Sequence, residues 1–162
     1  MTRKVDQDNK QLSVMFVPLG WSHLLVPCSA IAELIAFQEP VGVENTPDWF
    51  LGEINWRDNV IPLISFEGMS GKGVSAAAPG TLYLVINRLT ESDPYPFYAI
   101  PVKSVPRNLR LVADDLNWKK DQNVKEGQPL REAVVTVDGQ EALIPNLIGL
   151  ESMLTEYMRS PA

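Results

Sequence analysis

The chain has one cysteine and one histidine in 162 residues. A single thiol, Cys28, excludes an internal disulfide framework. One thiol and one imidazole also cannot assemble a zinc cluster. The same scarcity limits covalent catalysis, because any Ser-His-Asp or Cys-His arrangement has to use His23. His23 stands beside Trp21 and Leu24 in a stretch that reads as a strand, so it is expected to be a surface strand residue rather than a base. Cys28 follows Pro27 in an apolar segment and is expected to behave as a small buried hydrophobe.

Positive charge is also in short supply, with 14 Lys and Arg against 20 Asp and Glu and a net charge of −6. No basic cluster stands out, and a negative surface repels phosphate backbones, which disfavours nucleic acid as a partner. The tryptophans (Trp21, Trp49, Trp56, Trp118) are therefore expected in core packing or a protein interface rather than stacked on bases. Long apolar runs are missing too. The most apolar window, Leu24 to Phe37, contains Pro27 and Glu33 and falls short of the ~20 residues a spanning helix needs. The opening MTRKVDQDNKQ has no apolar signal region. The expectation is a cytoplasmic protein with no direct membrane insertion.

Two further motifs fail. Asp93 and Asp114-Asp115 lack calcium-loop spacing. Gly71-Lys72-Gly73 resembles a phosphate loop, but Phe66 stands where the first glycine belongs and Gly73 where a Ser or Thr belongs. No cofactor, no metal and no enzymatic activity are expected.

What is present is 45% hydrophobic content, enough for a core. Residues 1–11 read as a flexible polar arm, and 12–160 as one domain. Ser13 to Val17 and Trp21 to Val26 read as strands around a Pro18-Leu19-Gly20 turn. Ser29 to Phe37 fits a short helix or a strand, and periodicity does not separate the two. Thr46 to Gly52 carries the marks of one helical turn, with Thr46 as cap and Gly52 as stop. Next comes FLGEINWRDNVIPLISF, residues 50–66. Ile54 and Trp56 alternate with polar residues, Asp58-Asn59 suits a tight turn, and Val60 to Ile64 is apolar on both faces. Pro62 cannot donate to a ladder, which argues for an edge strand or a bulge. Glu67 to Gly80 reads as a linker without a core pattern. Strands are expected over Thr81 to Asn87 and Phe97 to Val102, with a hairpin around Asp138-Gly139. A C-terminal amphipathic helix over Asn146 to Arg159 carries Leu147, Leu150, Leu154 and Tyr157.

The second half echoes the first. Leu25-Val26-Pro27 is answered by Ala99-Ile100-Pro101, and Val60-Ile61-Pro62-Leu63 by Leu143-Ile144-Pro145-Asn146. The duplication predicts two small β-barrels of similar plan, one over about 12–70 and one over about 81–145. The linker 67–80 would join them, and the apolar strands would pack them together.

The run LVPCSAIAELI (25–35), the Asn45-Thr46-Pro47 turn, LGEINWR (51–57) and VIPLI (60–64) resemble the CheW-like domain family. Its members read "apolar-P…V-x-E-I", then "P-x-x-x-x-G-x-x-N-x-R-G", then "x-P-V-x-D". The resemblance covers most of the chain and is most specific over residues 25–64. It implies a mostly β fold of two SH3-like five-stranded β-barrels packed together, with a C-terminal helix. It also implies a non-enzymatic chemosensory adaptor, whose partners are the cytoplasmic tip of a chemoreceptor and the regulatory domain of a CheA-type histidine kinase. Matched by position, the implied partner-binding residues are Ile31, Glu33, Gly52, Asn55, Arg57 and Val102. Three departures stand out. Asp58 replaces the glycine after the arginine, Ser65 or Phe66 replaces the acidic residue after the second apolar strand, and Lys103 reverses a charge. They imply a divergent, auxiliary member of the kind found in type IV pilus and twitching systems. The alternative from a different class is a stand-alone regulatory or small-ligand-binding β-barrel, which needs a pocket with convergent polar groups.

Overall fold

A computed structural model of the chain describes residues 11–74, 77–90, 95–112, 114, 117–119 and 131–159. The expected polar arm lies outside this set apart from residue 11, and so does most of the stretch 112–128, which follows the family pattern poorly. The strands are β1 (Leu12–Pro18), β2 (His23–Pro27), β3 (Ile31–Ile35), β4 (Phe50–Trp56), β5 (Asn59–Ile64), β6 (Leu82–Asn87), β7 (Phe97–Val102), β8 (Arg107–Leu111), β9 (Asn117–Lys119), β10 (Arg131–Val137) and β11 (Gln140–Pro145). A four-residue helix α1 (Phe66–Met69) follows β5, and α2 (Leu147–Arg159) closes the described chain.

These strands form a six-stranded sheet, ordered β8-β1-β2-β11-β10-β9, and a five-stranded sheet, ordered β3-β6-β7-β5-β4. The mostly β architecture of two packed sheets with a C-terminal helix agrees with the sequence. The sheets, however, are not the two halves of the chain. β1 and β2 pair with β8 and β11, while β3, β4 and β5 join β6 and β7. The expected division into 12–70 and 81–145 therefore does not match sheet membership. The duplication persists in the topology. β8-β1-β2-β11-β10 repeats as β3-β6-β7-β5-β4, with a single parallel bridge in each sheet, Leu24 to Leu143 in one and Leu63 to Ala99 in the other. Each half lends its first two strands to one sheet and its later strands to the other.

Strand periodicity builds three core layers. Residues i and i+2 share a face, so β6 sends Tyr83 and Val85 into the five-stranded sheet's own core and Leu84 and Ile86 toward the other sheet. In the six-stranded sheet, Phe16, Leu25, Val135 and Ala142 fill its own core, while Val17, Leu24, Val26 and Leu143 meet the shared layer. That is why β5 lacks a polar face at its base: Ile61 and Leu63 belong to one layer and Ile64 to the other.

Local readings fare unevenly. The ambiguous segment after Cys28 is a 3-10 turn (Cys28–Ala30) followed by β3, which is drawn into strand pairing with β6. Thr46 donates its hydroxyl to Val43 O and does not cap a helix, and Gly52 lies inside β4. The first hairpin turns on Arg57-Asp58 and not on Asp58-Asn59, with Trp56 paired to Asn59 and φ of 47° and 63° at the two turn residues. Asp138-Gly139 turns the second hairpin as expected. Pro62 is neither on an edge strand nor at a bulge, because β5 lies between β4 and β7. Its partner Glu53 directs its N–H and C=O to Val41, so the Glu53-Pro62 pair is the kind without mutual hydrogen bonds. The proline nitrogen thus faces β7, where β5 is joined only by the Leu63-Ala99 bridge. The linker is also more structured than expected. Ser65 Oγ accepts the Gly68 N–H at 3.0 Å and caps α1. Phe66 and Met69 enter the shared core.

Helix α2 is anchored by a buried charge. Glu151 is fully buried and Arg88, just after β6, exposes 3% of its side chain. The carboxylate accepts from Thr90 N–H (2.8 Å), the Thr90 hydroxyl (2.7 Å), Leu89 N–H (3.1 Å) and the Tyr98 hydroxyl (3.2 Å), with Arg88 Nε at 3.8 Å. Arg88 also donates to Thr155 Oγ1 and to the Tyr95 carbonyl oxygen. Burial, then the Glu151 charge, then the hydrogen bond to it push the Tyr98 hydroxyl well above its ordinary range, so it remains a donor.

Candidate partner-binding site

The five-stranded sheet curls until its two edge strands, β3 and β4, face each other. Ladder bonds between them do not close it, and side chains do so instead. Gln38, just after β3, donates Nε2 to Asn55 O (2.9 Å) and accepts Asn55 N–H on Oε1 (2.7 Å), so one amide side chain imitates a strand neighbour. Val41 exchanges both backbone bonds with Glu53 at 2.9 Å each. The edge of β4 is thereby occupied at Glu53 and Asn55, which removes it as a free template for another strand.

At the hairpin end, Trp56 donates Nε1–H to Glu33 Oε2 at 2.6 Å. Arg57 Nε stands 3.6 Å from the same oxygen, and the guanidinium carbon lies 4.9 Å from the centre of the Trp56 ring. The Trp56 ring is itself pinned edge-on against Phe97, at 4.7 Å between centroids. A carboxylate on one edge strand thus holds the indole and the arginine of the other. The Arg57 side chain is 67% exposed and Glu33 is 41% exposed. An ion pair this open adds little to stability, about 0–1 kcal/mol. Its effect is to hold the guanidinium at the tip.

The other expected residues separate. Asn55 is exposed beside this group. Ile31 is half-buried against the shared core, and Val102 lies within it at 2% exposure. Gly52 is buried with φ of +140°, and a Cβ there would stand 2.7 Å from Val41 O, so it makes room for the covering segment. Glu33, Asn55 and Arg57 form one surface, Gly52 makes room for the segment that covers β4, and Val102 lies in the shared layer at the far end of β7 from Phe97. The role of Trp56 was not read from the sequence. Its signal was its place on the core face, one residue before the arginine.

Comparison with known families decides what this arrangement belongs to: the CheW-like domain matches residues 13–153. This chain is a member of the CheW-like domain family. Membership supports a chemotaxis adaptor role. A crystal structure of the scaffolding protein TtCheW from Thermoanaerobacter tengcongensis superposes with a TM-score of 0.69 at 14% identity, covering 84% of this chain and 89% of that one. That likeness shows the shared CheW fold. No curated protein matches the sequence. Among the described residues no helix is long and apolar enough to cross a membrane, and no cluster of His, Cys, Asp or Glu could hold a metal ion.

Within this CheW-like hairpin, Asp58 occupies the family's glycine position with φ of 63°. An L-residue pays for that conformation and glycine does not. Asp58→Gly is expected to raise stability by about 0.5–1 kcal/mol, read as a higher urea midpoint at unchanged slope. A lower midpoint would show that the aspartate carboxylate holds the turn.

Proposed function

We propose that this chain is a non-enzymatic cytoplasmic adaptor that couples a chemoreceptor's cytoplasmic tip to the regulatory domain of a CheA-type histidine kinase. The observation that carries the reading is the Arg57 guanidinium, exposed at a hairpin tip and held by Glu33 and Trp56. Free arginine side chains lose about 2 kcal/mol of rotamer entropy when immobilised. One already aligned on an indole and a carboxylate loses less on meeting a carboxylate or the C-terminal carbonyls of a receptor helix. Asn55 and Glu33 extend the same contact surface, and Gly52, Ile31 and Val102 hold the sheets that carry it. Asp58 and Lys103, where the chain departs from the family pattern, support an auxiliary place in a type IV pilus system.

The stand-alone ligand-binding alternative needs a pocket of roughly 300–1,000 Å³. The cleft beside α1, at about 50 Å³, is too small to be that pocket. The adaptor reading is tested by calorimetric titration with the regulatory domain of a CheA-type kinase from the same cell, then with a receptor tip added. Saturable binding near micromolar affinity, about −8 kcal/mol, is expected. Arg57→Ala should leave folding stability within about 1 kcal/mol of the parent while weakening the receptor-dependent step about tenfold or more. Unchanged coupling in that variant would remove Arg57 from the contact, and lost folding would make it structural.

A further inference from the structure

Strand β8 (Arg107–Leu111) ends the six-stranded sheet, and the pairing around it shows which backbone groups it presents. Leu19 N–H donates to Ser22 O, toward β2, whereas Pro18 O accepts the Lys103 N–H from the opposite side. Successive strand residues bond to alternate sides, so Phe16 and Val14 point their N–H and C=O at β8. Pro27, which has no N–H to give, accordingly stands opposite Val14 on the β2 side. Within β8, Arg107 and Leu109 therefore bond back to β1, while Asn108 and Arg110 turn their backbone groups outward. Neither has a backbone partner on that side among the described residues. Pro106 lacks the donor that would extend this ladder at one end, and Val112 is already engaged at the other. The hairpin strands elsewhere are covered: Gln38 and Val41 occupy β4, and β9 lies along β10.

Charge also sets this edge apart. The chain carries −6 overall, yet residues 95–113 hold Lys103, Arg107 and Arg110 and no acid. All three are exposed, and neither ion pair among the described residues includes them. The Arg107 guanidinium lies 4.9 Å from the centre of the Phe16 ring and donates to Gln140 Oε1 at 3.4 Å. Its charge is thus held at the start of the strand.

We propose that β8 receives a short acidic segment of a partner protein as an added antiparallel strand. The segment bonds to the backbone of Asn108 and Arg110 and sets its carboxylates against Arg107 and Arg110. Strand addition gives the two outward N–H and two outward C=O groups their partners. Charge chooses the occupant. A second copy of β8 would bring its own arginines onto the same ladder, where like charges repel. Those charges keep copies of this chain apart and admit a strand that carries carboxylates. Arg107 and Arg110 lie on opposite faces of the strand, so the two carboxylates that meet them stand three residues apart.

The test is hydrogen exchange and amide NMR on the full chain, with acetyl-Thr-Glu-Val-Val-Glu-Thr-amide as probe and its lysine-for-glutamate counterpart as control. In the free chain the Asn108 and Arg110 amides are expected to exchange fast and the Leu109 amide slowly. Saturating probe should slow exchange at both outward amides about tenfold or more, with a Kd of about 1 mM. Arg110→Glu should weaken binding about tenfold or more. Asn108→Pro removes an outward donor and no internal bond, so the fold should hold while binding is lost. A probe methylated on the backbone nitrogens that face β8 should not bind, which tests the ladder without altering the protein. The proposal is overturned if both outward amides are already protected in the free chain. It is equally overturned if the lysine peptide or the methylated probe binds as well as the acidic one. Because β8 belongs to the other sheet, failure here leaves the Arg57 contact untouched.

Discussion

Replacing Glu151 by alanine is expected to cost about 3–5 kcal/mol of folding stability, the range for breaking a buried ion pair from one side. The carboxylate is fully buried and gathers Leu89, Thr90, Tyr98 and Arg88 around helix α2. Without it, the Arg88 guanidinium is left in the interior with no counter-charge, and two backbone N–H groups lose their acceptor. Because the net worth of such a pair is small against a well-packed apolar pair, the double variant Arg88→Met/Glu151→Leu should be less destabilised than Glu151→Ala alone. Urea denaturation of the three proteins decides the matter. A loss below about 1 kcal/mol in the single variant would show that the arginine escapes to water, contrary to its 3% exposure.

Gly52→Ala is expected to cost at least about 2–3 kcal/mol, for two reasons that act together. The φ of +140° is one that side-chain-bearing residues rarely adopt, and the new Cβ would stand 2.7 Å from Val41 O and 2.9 Å from Pro40 Cβ. Relief requires the 40–41 segment to lift away, which breaks both backbone bonds between Val41 and Glu53 and uncovers β4. The same variant separates support from contact. If Gly52 itself touched a partner, binding would fall with stability unchanged. The structure expects the midpoint to fall, with any loss of binding following the loss of fold.

Much of this was legible in the residues. Asp138-Gly139 announced its hairpin, because glycine and aspartate tolerate the conformation a two-residue turn demands. The leucines of α2 lay at helical spacing, and Glu33 and Arg57 were each matched to the family pattern, although their pairing with one another was not foreseen. Strand β8 escaped notice although Leu109 and Leu111 alternate with Asn108 and Arg110, a period of two hidden by its polar content. Pro62 misled because a missing donor is tolerated wherever the neighbouring ladder is sparse, and sequence does not show how many bonds a neighbour makes. Arg88 and Glu151 were invisible for a different reason. Charges read as surface until a structure shows a full set of partners around them. Strand exchange between the halves was beyond local pattern altogether, since either pairing buries the same apolar faces.

That exchange governs when the fold can form during synthesis. Strand β2 is complete by residue 27, yet its second neighbour is β11, and Leu24 meets Leu143 there. At about 5–20 residues per second the emerging β1–β2 hairpin waits roughly 6–24 s for that partner, with one strand edge unpaired and its apolar faces open. Such separated pairings make folding slow and concentrate its cost in the final steps. A chain stalled before the last hairpin would present an unfinished edge to its neighbours. This protein's most vulnerable moment therefore falls late in its own synthesis.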